Sequence, residues 1–149
     1  MKIVWVLIAV FFTGFSQAQV FAAKLDLVLV TAYNADVPKM SPDAVRHLYI
    51  GVPVEVAGHV IEPLINASDN LVLEIFMQQV LFMSSEVYIR QNSSRSSRKG
   101  DKPAQSYSEM PALVAALRAN PYAVTYMLRS TAANFPELKI LADLWRSEE

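Results

Sequence analysis

Hydrophobic and polar positions divide the chain into a leader and a series of short elements. Ile3 to Phe15 is a thirteen-residue stretch without charge, preceded by Lys2 and closed by Ser16-Gln17-Ala18. A basic start, an apolar middle and small residues at 16 and 18 have the layout of a cleavable secretory signal, so residues 1–18 are expected to be removed. Val20-Phe21-Ala22 offers an alternative end at residue 22 or 23. A retained anchor is the competing reading, but a spanning helix needs about 20 apolar residues, and Thr13-Gly14 and Ser16-Gln17 interrupt this run.

Beyond the leader, Leu25-Asp26-Leu27-Val28-Leu29-Val30-Thr31 is short and mostly apolar, which predicts a central strand covered on both faces. Ser41 and Pro42 read as an N-cap and a first-turn proline. Val45, Leu48 and Tyr49 then lay an apolar stripe along a helix that Gly51 ends. Val52 to Ile65 alternates weakly about Ala57-Gly58, so two short strands or extended arms are expected, with Gly58 supplying a positive φ at the bend.

The clearest helix starts at Ser68-Asp69 and runs to about Phe82, with Val72, Leu73, Phe76, Met77 and Val80 on one face and Glu74 and Gln78 on another. Arg90 to Lys102 is rich in Ser and Arg and predicts an exposed loop. A helix from Pro111 to Ala119 follows, with Leu113, Val114 and Leu117 sharing a face and Asn120-Pro121 stopping it. Ala123 to Leu128 and Leu138 to Leu141 are then expected as short strands. This order predicts one α/β domain over residues 24–149, a mixed sheet flanked by helices.

Composition narrows what such a domain can do. There is no cysteine, so neither disulfides nor a lipid-modified leader end is available, and stability rests on packing. Cleavage after Ala18 removes Lys2 and leaves about 130 residues with 12 basic and 14 acidic side chains, enough for a single core. That slight acidity argues against nucleic acid, whose binding rests on basic patches that neutralise phosphates. Catalytic chemistry is thinly represented. The two histidines are His47 and His59, no Ser/His/Asp or metal-ligand spacing occurs, and Glu55 and Glu62 on either side of Gly58 define no acid–base pair. No enzyme activity, cofactor or metal is expected. His47 reads as a surface residue and Trp145 as a lid on the core.

Three segments gain meaning when read together: Ser41 to Gly51 (SPDAVRHLYIG), Ile61 to Asn70 (IEPLINASDN) followed by Phe76 and Val80-Leu81, and Asn120 to Met127 (NPYAVTYM). In that order they resemble the LS..E...IF.G, I.PV.R..SGT...F...L and NPGAIGYV segments of the phosphate-type substrate-binding proteins of ABC transporters. The similarity covers most of residues 25 to 142. It implies a type 2 periplasmic binding fold and a periplasmic protein. Because these segments lie mainly in one of the family's two lobes, it implies a member close to a single lobe. It further implies a non-catalytic solute-binding protein that takes phosphate or another small oxyanion for uptake or sensing. The alternative is an interaction module that docks on a membrane sensor or transporter without a small ligand. A homodimer that builds a cleft from two single lobes is a further expectation.

The resemblance places the family's ligand-binding serine at Ser68 and the neighbouring helix amides at Asn70 and Leu71. A helix N-terminus suits an anion because its N–H groups are unpaired and the dipole is positive there. Arg95, Arg98 and Lys99 are the candidate cations, in a run that matches the family's F.GKG..P turn through Gly100 and Pro103, since guanidinium forks suit oxyanions. Two departures weigh the other way: Asp69 stands where the family has glycine, and Asn66 where it has arginine. On that side Ser68 or Asp69 is a helix cap and the Ser/Arg run a solvated loop.

Overall fold

A computed structural model describes residues 24–98 and 100–148, so the expected leader and Lys99 lie outside the described residues. In chain order the elements are β1 Asp26–Ala32, α1 Pro42–Tyr49, β2 Glu55–Val56, β3 His59–Val60, β4 Glu62–Asn66, and α2 Asn70–Ile75 with a π-helical turn Phe76–Val80. They continue as α3 Ser85–Arg95, β5 Gln105–Tyr107, α4 Met110–Ala119, β6 Ala123–Leu128, α5 Arg129–Ala132 and β7 Leu138–Arg146.

Five strands form a mixed sheet in the order β5-β4-β6-β1-β7. β5, β4 and β6 are parallel, and β1 runs antiparallel to both of its neighbours. The middle position belongs to β6, and β1 lies beside it with a partner on each edge. Leu27 and Leu29 of β1 enter a core with Tyr49, Phe76 and Tyr88, whereas Val28 and Val30 enter a second core with Leu113 and Leu117. Helices therefore cover both faces: α1 to α3 on one, α4 and α5 on the other. Burial on two sides is why this strand reads as an unbroken apolar run rather than an alternation.

Local chemistry sets the helix starts. Ser41 accepts a hydrogen bond from the Ala44 amide at 3.2 Å, and Pro42 occupies the first turn of α1, which buries Val45, Leu48 and Tyr49. Between β2 and β3, Ala57 and Gly58 take φ values of 51° and 79°, the signs of a type I′ hairpin turn. The face of α2 and its π-helical turn that carries Val72, Phe76 and Val80 is buried as its spacing predicts. Phe76 stacks on Tyr126 with ring centroids 3.7 Å apart and meets Tyr49 edge-on at 4.7 Å. Phe82 ends the helix in the left-handed region at φ 56°. Its ring lies 4.4 Å from the Arg46 guanidinium, and Arg46 Nε donates to the Val80 carbonyl at 3.0 Å, so α1 fastens this end.

Three expectations are corrected. The stretch from Arg90 is not loop throughout: α3 runs to Arg95, started by Ser84, whose hydroxyl accepts from the Val87 amide. Its one fully buried side chain is Tyr88, and with so little apolar surface to hide, α3 carries no helical period for sequence reading to find. The three-residue β5 and the single-turn α5 are too short to show any period. β7 continues past Leu141 to Arg146, and two register shifts against β1 break its alternation. Trp145 packs half-buried against the core from this strand.

Candidate functional site

The candidate site lies where β4, β5 and β6 end. These strands are parallel, and the chain leaves each of them into a helix, β4 into α2, β5 into α4 and β6 into α5. In open α/β sheets ligands bind in the crevice outside such carboxyl ends. Here that position is a cleft of about 440 Å³. Asn66, Ser68 and Asp69 form one wall, Ser108 and Glu109 a second, Thr131 and Asn134 a third, and Met110, Met127 and Phe135 supply its apolar surface.

Side chains hold the strand ends where the ladder stops. Main-chain pairing of β4 with β6 is confined to Glu62 and Pro63 opposite Ala123 and Val124. Beyond it, Thr125 Oγ1 donates to the Leu64 carbonyl at 2.9 Å, and Asn66 Nδ2 donates to the Tyr126 carbonyl at 3.0 Å. The Tyr126 hydroxyl returns a bond to the Asn66 carbonyl, also at 3.0 Å. Buried polar groups need such partners. Behind them, the Tyr49 hydroxyl donates to Leu64 O at 2.8 Å and the Tyr88 hydroxyl to Tyr49 O at 3.1 Å. Burial pushes the Tyr49 and Tyr126 phenols well above their ordinary value, with neighbouring phenols adding to the effect. Burial pushes Tyr88 up to about 12, against a smaller downward pull from Arg95. All three therefore remain hydrogen-bond donors at neutral pH.

Asp69 occupies two of the amides at the start of α2. Asp69 is the N-cap, and its Oδ1 accepts from the Leu71 amide at 2.8 Å and the Val72 amide at 3.3 Å. Asn66 Oδ1 accepts from both the Ser68 amide at 3.1 Å and the Ser68 hydroxyl at 2.6 Å. Of the residues to which the resemblance points, Ser68 lies in the cleft wall with its hydroxyl turned to Asn66. Asn70 is the exposed first residue of α2, and the Leu71 side chain is exposed while its amide faces Asp69.

Arg95 is not brought to this place. Its guanidinium rests on Gly51, so closely that a Cβ there would lie 2.7 Å from Cζ, and Nη2 donates to the Lys102 carbonyl at 3.3 Å. The physical reason is α3: being helical to Arg95, it carries that residue to the end of α1 instead of leaving it on a free loop. Arg98 is exposed and is not part of the cleft wall either, and among the described residues no lysine or arginine is. Lys99 lies outside the described residues.

Glu109, Ser108, Thr131 and Asn134 escape sequence reading as cleft residues. Glu109 carries the available signal, an acidic residue two positions before the Pro111 of a helix start. The single turn of α5 offers none. Elsewhere, His47 is exposed and 3.6 Å from Asp43, and the Glu62 carboxylate accepts from Asn120 Nδ2 at 2.7 Å. Among the described residues no group of three or more His, Asp or Glu side chains forms a metal site, and no single helix is long and apolar enough to cross a membrane.

The chain matches no protein-family model and no curated protein. Its fold does match solved structures. PstS from Borrelia burgdorferi superposes with a TM-score of 0.58 at 12% identity, covering 80% of this chain and 47% of that one. A structure described as a possible phosphate binding protein from Planctomyces limnophilus does so at 0.54 and 13% identity, covering 79% and 41%. At these identities the likeness is one of fold. This chain spans less than half the length of either protein, and its α/β fold, a mixed five-stranded sheet flanked by helices, matches about one lobe of PstS-like binding proteins.

Proposed function

We propose that this chain is an exported, non-catalytic binding lobe that works in the periplasm as an interaction module, docking on a membrane sensor or transporter. In this reading the oxyanion position of its cleft is filled by the chain's own carboxylate. The Asp69 cap is the observation that supports it most directly. The Leu71 amide, one of the donors that the resemblance offers an anion, already meets Asp69 Oδ1, and so does the Val72 amide beside it. An incoming phosphate would have to displace a tethered group of the same charge, and among the described residues no cation lines the cleft to offset the repulsion.

A second reading is favoured by the place of the cleft at the strand ends and by the likeness to PstS: a small oxyanion such as phosphate held by Ser68, Asn70 and Leu71, with Asp69 turned away. Calorimetry with phosphate on the wild type, Asp69→Gly and Ser68→Ala separates the two. The module reading expects no heat from the wild type and no thermal stabilisation, whereas a ligand at 100 times its Kd adds about 2.7 kcal/mol. Heat from the wild type that Asp69→Gly increases and that Ser68→Ala weakens by about 1–3 kcal/mol would transfer the assignment to oxyanion binding.

Export has its own test, the N-terminus of the product made in a Gram-negative host. Gln19 is the expected first residue, or Ala23 for the later cut. An intact Met1 on a membrane-bound product would remove the leader from the proposal.

A further inference from the structure

The cleft at the strand ends carries the opposite charge to the one an oxyanion needs. Asp69 and Glu109 stand on two of its walls, both exposed, and among the described residues no lysine or arginine joins them. Arg129, which directly follows the cleft residue Leu128, is engaged elsewhere: its guanidinium pairs with Asp26 at 3.6 Å and with Asp143, neither of them in the cleft wall. The starts of α2 and α4 each bring about half a positive charge, and the single turn of α5 brings less. Two full carboxylates outweigh them, so the cleft is negative.

Neither carboxylate is used up by the fold. Both bonds that Asp69 accepts from α2 fall on Oδ1, so capping leaves Oδ2 unengaged. Glu109 occupies the N-cap position of α4, yet its side chain accepts no hydrogen bond from that helix, and it forms no ion pair among the described residues. Its charge suits the positive end of α4, but the carboxylate itself stays available. Close by, Met110, Met127 and Phe135 give the same cleft an apolar surface. An apolar surface joined to carboxylates matches one kind of side chain, because lysine and arginine carry a charged head on an apolar stem.

We infer that the cleft receives a lysine or arginine side chain presented by the partner protein, its stem on the Met127 and Phe135 surface and its head toward Asp69 and Glu109. This rests on the interaction-module reading and names what the module holds. Opposite charge steers the encounter and fixes the partner's orientation, and arginine suits a pair of carboxylates because its donors form a flat fork. The exposed rim favours a protein over a free amine. A small ligand needs most of its surface enclosed, whereas a side chain carried by a docked protein is held at high effective concentration.

The probe is an end-blocked pentapeptide, Ala-Ala-Arg-Ala-Ala, with a counterpart in which citrulline replaces arginine and so keeps the shape without the charge. Titrated into the isotope-labelled mature chain at millimolar concentration, the arginine peptide is expected to shift the amide resonances of Asp69 to Val72 and of Ser108 and Glu109, together with the Met127 methyl. The citrulline peptide should move none of them. Asp69→Asn and Glu109→Gln should each weaken the arginine peptide about threefold, and both variants should fold, since asparagine still caps a helix. Glu55→Gln, which removes an exposed carboxylate of β2 outside the cleft, should leave binding unchanged. Equal binding of the two peptides, an equal loss in Glu55→Gln, shifts confined to other surfaces, or no shift at millimolar peptide would overturn the inference. So would a concentration-dependent dimer, seen by sedimentation, that protects the Ser108 and Glu109 amides from exchange. Heat from phosphate on the wild type removes the module reading, whereas silence toward phosphate without arginine binding removes this inference alone.

Discussion

Phe76→Ala is expected to lower the folding stability by about 3–5 kcal/mol, the range for truncating a buried aromatic. The ring is fully buried, stacked on Tyr126 and edge-on to Tyr49, so its removal opens a cavity where α1, the α2 segment and the sheet meet. Aromatic pairs add to the loss beyond their area. A domain of this size has roughly 5–15 kcal/mol in total, so the variant should sit near the edge of unfolding. Urea denaturation of the wild type and variant, compared at unchanged slope, gives the number. A loss below about 1 kcal/mol would mean that this face of the helix is not packed on the sheet.

Alkaline pH is expected to unfold the domain in one cooperative step. Burial raises the Tyr49 and Tyr126 phenols well above the ordinary value of 10.0 and raises Tyr88 to about 12. The folded pKa values lie above the unfolded ones, so the contribution to stability is fully present below the unfolded value. It is lost as pH rises from about 10 toward 12, where the unfolded chain has released protons that the folded one retains. Tyr88 alone corresponds to roughly 2–3 kcal/mol across that window, and the other two phenols act in the same direction. Phenolate absorbance and circular dichroism, followed together, should change at the same pH. Ionisation of every tyrosine near pH 10 with an unaltered dichroism spectrum would show that these hydroxyls are not held as donors in the core.

The legible parts of the fold share one physical property: their signal is local. Ser41-Pro42 announces α1 because a cap and a preset φ act within four residues, and Gly58 announces the hairpin because its backbone freedom is intrinsic. Val72, Phe76 and Val80 mark a buried face since a helix must hide its apolar stripe. The unbroken apolar run of β1 likewise reports two covered faces without reference to what covers them. Asp69 was legible as a group that would repel an anion or cap a helix, and capping is the role it takes in the structure.

The α/β class, the two-sided burial of β1, the caps and turns, and the apolar faces of α1, the α2 segment and α4 can be read from the order of residues alone. Contacts between distant segments set the rest. α3 is helical because Tyr88 reaches Tyr49 and because Asn92 exchanges two hydrogen bonds with Ala104, contacts 39 and 12 residues apart in the chain. That helix places Arg95 on Gly51, away from the cleft, and so leaves the start of α2 with its own carboxylate and, among the described residues, no cation in the cleft wall. The place of β7 at the edge of the sheet exists only once β1 has been enclosed by β6 and β7. Propensity and periodicity act over a few residues, whereas a cleft, an edge and the position of a charge are set by contacts between segments that the linear order keeps far apart.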